Sequence, residues 1–81
     1  MLVKIDEATI INLDQIVEIV KDDSNLTLYI YLIDDNRERV KFEDENMLDD
    51  AFNKILSSYS YGNLICDITE YIKKKNSYES R

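Results

Sequence analysis

The run Leu26-Thr27-Leu28-Tyr29-Ile30-Tyr31-Leu32-Ile33 constrains this chain more than any other segment. Side chains of an extended strand alternate between its faces. Leu26, Leu28, Ile30 and Leu32 therefore line one side, and Thr27, Tyr29, Tyr31 and Ile33 the other. Both sides are largely apolar, so both need cover. A chain of 81 residues has little left over to supply it, since a domain this small buries only roughly 60–65% of the surface its unfolded form exposes. One face can take a helix. The tyrosine face is expected to meet a partner or to lie under whatever follows the helix.

The flanking segments read as more strands. Leu2 to Ile5 is a short strand, Asp6-Glu7-Ala8 its turn and Thr9 to Ile11 a return strand. Asn12-Leu13-Asp14-Gln15 interrupts the pattern, because Asn and Asp side chains bond to nearby backbone amides. Ile16 to Val20 is β-branched and apolar except at Glu18, and Asp22-Asp23-Ser24-Asn25 is the strongest turn signal before the 26–33 strand. Asp34 to Arg37 turns again, and Glu38 to Phe42 alternates with Val40 and Phe42 inward. Short turns favour antiparallel neighbours. The expectation is an α+β fold built on an antiparallel meander of four to five strands.

The period then changes. Met47, Leu48, Ala51, Phe52, Ile55 and Leu56 form one stripe on a helix over 46–58, with Asn46 as its N-cap. This helix is expected to pack on the Leu26/Leu28/Ile30/Leu32 face. A second, short C-terminal element follows. Leu64, Ile65, Ile68, Tyr71 and Ile72 make a helical stripe closed by Lys73-Lys74-Lys75, while Leu64, Cys66 and Ile68 also alternate as a strand would. The stripe favours helix. Residues 1–75 are expected to form one domain and 76–81 a frayed tail.

Catalytic chemistry finds little to work with. Cys66 is the sole thiol, there is no His to activate it, and Gly62 is the sole glycine, which rules out a glycine-rich phosphate loop. An EF-hand register from Asp34 fails because Arg39 stands where Gly is required. No enzyme activity, cofactor or metal is expected. A lone cysteine fits a reducing cytoplasm, the opening Met1 to Glu7 does not read as a signal peptide, and no apolar run approaches 18 residues. The absence of Pro with abundant Ile, Asn, Lys and Tyr reads as translation of an AT-rich bacterial, plasmid or phage genome.

Seventeen acids against ten bases give a net charge of −7. That argues against direct binding of nucleic acid or an anionic membrane and suits a basic protein partner. Solubility alone is the plainer explanation. In a strict meander the turns at 6–8, 22–25 and 43–46 share one end, which would gather Asp6, Glu7, Asp22, Asp23, Glu43, Asp44, Glu45, Asp49 and Asp50 into an acidic pole. Tyr29 and Tyr31, with Tyr59 and Tyr61 as further candidates, supply rigid amphipathic surface of the kind enriched at interfaces. The functional expectation is a non-enzymatic protein–protein interaction module, homodimeric, acting as a regulator through that tyrosine face or acidic pole. The alternative is an acidic nucleic-acid mimic that inhibits a basic DNA- or RNA-binding protein.

Overall fold

A computed structural model describes residues 1–72. The expected helix closure by Lys73, Lys74 and Lys75 and the tail 76–81 lie outside those residues. The described residues form an α+β fold with two three-stranded sheets and one α-helix.

The single meander is not what forms. Strands β1 (Leu2–Asp6) and β2 (Thr9–Asn12) make an antiparallel hairpin, with Val3 opposite Ile11. The sequence leaves their pairing open, and the structure settles it. A 3-10 turn at Leu13–Gln15 then separates β2 from β3 (Ile16–Asp22), with the Asn12 side chain accepting from the Asp14 N–H. Strands β3, β4 (Thr27–Leu32) and β5 (Arg37–Lys41) form their own antiparallel sheet in the order β3-β4-β5. The meander expectation holds for these three strands alone. β1 has a neighbour on each side, β2 and β6 (Ile65–Asp67), which leaves β2 at the edge of its sheet. The 3-10 turn carries the chain from that edge into a separate sheet, in which β3 pairs with β4 and not with β2.

The central strand is shorter than its apolar run. Leu26 stands before it at φ 51°, in the left-handed region, and its carbonyl accepts from the Phe42 N–H at 2.9 Å. At the other end Ile33 belongs to the turn. Asp35, at φ 68°, donates its N–H to the Leu32 carbonyl, and an Asp tolerates that conformation better than most residues.

Helix α1 (Glu45–Ser60) begins earlier than the stripe suggests. Its N-cap is Asp44, not Asn46: the Asp44 carboxylate accepts from the Met47 N–H at 2.8 Å, and a negative charge there also complements the helix dipole. The buried face runs through Leu48, Ala51 and Ile55, whereas Phe52 is only half-buried and Met47 and Leu56 are exposed. The helix ends where Gly62, at φ 71°, donates to the Tyr59 carbonyl and Asn63 donates to that of Ser58. This pair of bonds is a Schellman close, and only glycine takes its left-handed position without strain.

The segment after the helix is a strand and a turn, not a helix. β6 pairs in parallel with β1, with Cys66 opposite Val3, and a 3-10 turn follows at Thr69–Tyr71. The helical stripe would have buried Leu64 and Ile65. Both instead stay exposed, while Cys66 and Ile68 enter the core. A helix of about ten residues is marginal alone. The open edge of β1 offers backbone partners, and Leu2 donates to Leu64 and Ile68 to Lys4.

One core joins all the layers. Val3, Ile5 and Ile11 come from one sheet, Leu28, Ile30 and Val40 from the other, and Leu48, Ala51 and Ile55 from α1. Phe42, just beyond β5, completes it and bridges to Ile72. The helix therefore lies on the Leu28/Ile30 side of the second sheet, as expected.

Candidate functional site

The side of the β3-β4-β5 sheet turned away from α1 is the candidate site; Thr27 on it is buried, and Tyr29 and Tyr31 are half-buried. Residues directly opposite on neighbouring strands share a face. Three rows result, each crossing β3, β4 and β5 in turn: Glu18–Tyr31–Arg37, Val20–Tyr29–Arg39 and Asp22–Thr27–Lys41. Tyr29 and Tyr31 are half-buried, yet neither belongs to the core or to the side chains packed against it. Arg37 provides much of their cover. Its guanidinium lies 5.2 Å from the Tyr29 ring centre and 6.0 Å from that of Tyr31, within cation–π range.

The expectation that the C-terminal element folds over the tyrosines is not met among the described residues, because β6 joins the other sheet. Nor do Tyr59 and Tyr61 extend the face. Tyr59 lines an open apolar groove of about 370 Å³ on the helix side, with Leu13, Ile16, Ile19 and Leu56, and Tyr61 is exposed at the helix C-cap.

Sequence reasoning missed the basic half of the site. Arg37, Arg39 and Lys41 project from alternate positions of β5 onto the tyrosine face. All three are exposed, and none of their side chains makes an ion pair or hydrogen bond among the described residues. Their alternation with Glu38 and Val40 is the available signal. Ordinary strand polarity accounts for that alternation equally well, and the net charge of −7 points to the acids instead.

The acidic pole is only partly assembled, and most of its members are engaged locally. Asp22 accepts from the Asn25 backbone and side-chain amides in the β3–β4 turn, at 3.2 and 2.8 Å. Asp44 caps α1. Asp49 takes the Lys21 ammonium at 2.6 Å, and Asp23 lies 3.8 Å from the same group. The hydrogen bond to Asp49 holds the Lys21 ammonium above its ordinary range, with Asp23 and Glu45 adding to the effect. Glu45 is exposed beside this cluster. Asp50 is exposed on the side of α1 that faces Tyr71. Asp6 ends β1 and Glu7 lies in the β1–β2 turn, both on the other sheet.

A second cationic anchor ties the C-terminal segment down. Lys54 donates to the Asp67 carbonyl at 2.7 Å and to Glu70 at 3.2 Å, and it lies 5.6 Å from the Tyr71 ring centre. Partial burial works against the Lys54 charge, but the Glu70 carboxylate outweighs it and the group stays protonated above its ordinary range. Asp67 accepts from the Thr69 hydroxyl at 2.6 Å and from its backbone N–H, and these bonds hold its carboxyl below the usual range. Cys66 is buried in the core. No group of three or more His, Cys, Asp or Glu side chains suited to a metal ion occurs among the described residues. No helix among them is long and apolar enough to cross a membrane.

Compared with family models, curated proteins and solved structures, the chain matches none.

Proposed function

We propose that this protein is a small, non-enzymatic, cytoplasmic protein–protein interaction module that meets its partner through the Tyr29/Tyr31 face. The observation that carries the reading is the placement of two half-buried tyrosines and three cations without an ion pair on one sheet face, outside the core. Aromatic and arginine side chains recur at the energetic centres of interfaces, because they bring large area at low entropic cost. The acidic pole then serves to steer the approach of a partner rather than to hold it.

The nucleic-acid mimic is the weaker reading. A mimic needs an array of free carboxylates, and Asp22, Asp23, Asp44 and Asp49 already satisfy a turn, a helix cap or Lys21.

Affinity capture from the source cell, with the intact chain and with Tyr31→Asp as baits, tests the proposal. The expected result is a partner retained by the first and lost by the second, with the helix signal unchanged. Identical capture by both baits would overturn it.

A further inference from the structure

The three rows of the tyrosine face follow one order: acidic or apolar on β3, aromatic or small on β4, and basic on β5. Such an order has a consequence under two-fold symmetry. If the axis runs along β4, between two facing sheets, each position keeps its height and changes side. The β5 strand of one copy then lies over β3 of the other. Arg37 meets Glu18, Arg39 meets Val20 and Lys41 meets Asp22, while Tyr29 and Tyr31 meet their own counterparts once Arg37 swings off their rings towards Glu18. An axis across the strands would instead stack β5 on β5 and set Arg37, Arg39 and Lys41 against one another. The pattern selects the first arrangement and rejects the second.

We infer that the partner for this face is a second copy of the chain, joined by a two-fold axis parallel to β4. The inference rests on the interaction-module reading and specifies its partner and orientation. Isologous contacts of this kind require a self-complementary patch, and Glu18 and Arg37 are complementary across the axis without being paired within one chain. Tyr31 stands between them in the row, so two strand spacings of about 4.8 Å separate the two backbones. No ion pair joins them. Facing sheets pack about 10 Å apart, a gap that an extended Arg and a Glu span together. Acids on the same face also disfavour a nucleic-acid strand as occupant, since its phosphates would lie over Glu18 and Asp22. Asp22 is partly committed to Asn25, so the Glu18–Arg37 contacts dominate the electrostatics.

The expected strength follows from size. Three strands at about 4.8 Å and five residues at about 3.4 Å give a patch far smaller than the roughly 800 Å² per partner of a standard interface. The dimer is therefore of the weak class, in the micromolar range or above.

Charge exchange provides the test. Glu18→Arg and Arg37→Glu each place like charges across the axis, so each chain alone should self-associate at least ten-fold more weakly than the parent. Mixed in equal amounts, they bring the introduced arginine of the first over the introduced glutamate of the second. The native Glu18–Arg37 contact survives on the remaining side. Sedimentation velocity from about 10 μM to 1 mM should then show parent-like dimers in the mixture only. If both variants lose association and the mixture stays monomeric, the orientation is wrong although the face still binds. Unchanged self-association of either variant, or a parent that is monomeric throughout, overturns the inference. Capture that is indifferent to Tyr31→Asp removes the reading beneath it.

Discussion

The two faces of β4 carry neighbouring residues of similar bulk to opposite ends. Leu28 and Ile30 are fully buried against α1 and the other sheet, whereas Tyr29 and Tyr31 stand half-exposed under one arginine. An apolar alternation on both sides states only that both faces avoid water. Which one becomes core depends on where α1 lands, and the other is left with amphipathic rings that tolerate partial solvation. The difference separates stability from recognition within a single strand.

That separation can be broken most directly by truncating each face in turn. Ile30→Ala should cost about 3 to 5 kcal/mol, because a fully buried side chain leaves a cavity, and that approaches the whole margin expected of a small domain. Tyr29→Ala, one residue away, should cost no more than about 1 to 2 kcal/mol in urea unfolding while weakening self-association. Equal losses at the two positions would mean that the tyrosine face is a second core.

The same contrast runs around α1. Leu48→Ala should cost about 3 to 4 kcal/mol and Leu56→Ala under about 1 kcal/mol, since one side chain is fully buried and the other 54% exposed. Phe52→Ala should fall between them. The sequence stripe ranks Phe52 with the centre of the buried face, but its ring lies at the margin, 5.6 Å from the Lys21 ammonium. Chemical denaturation of the three variants would expose any error in where the stripe is centred.

Smaller effects sharpen the picture at the C-terminal segment. Gly62→Ala should cost about 1 kcal/mol through its left-handed backbone alone, because nothing lies within 4 Å of the added methyl. A larger loss would point to a packing role for the helix end. Thr69→Val removes one donor from Asp67 and should raise that carboxyl towards its ordinary range, as read by NMR titration. The sign follows from linkage. A carboxyl lowered in the folded state adds stability that is present above its unfolded value and lost as pH falls through the folded one. The variant should therefore show a shallower acid limb, and an unchanged limb would mean that the backbone N–H of Thr69 suffices.

Local signals in the chain were enough to place most elements. The turns at 22–25 and 34–36, the break at 12–15 and the helix stripe all act through neighbouring residues, so they are legible without the fold. The tyrosine face was legible too, since Tyr29 and Tyr31 share a parity and the helix stripe matches the opposite one. The basic half of that face was not, because the meaning of Arg37, Arg39 and Lys41 depends on which strand lies beside β5 and in what register.

The remaining decisions belong to contacts between distant segments. Residues 63–72 satisfy a helical and an extended pattern at once, and the unpaired backbone edge of β1, near the start of the chain, selects the strand. The expected meander divides into two sheets between β2 and β3, where the 3-10 turn at Leu13–Gln15 intervenes and β3 pairs with β4 instead of with the free edge of β2. Periodicity reports which way a side chain points relative to its own backbone. It carries no record of which other backbone stands alongside, and hydrogen-bond pairing across that distance is settled only when the whole chain has packed.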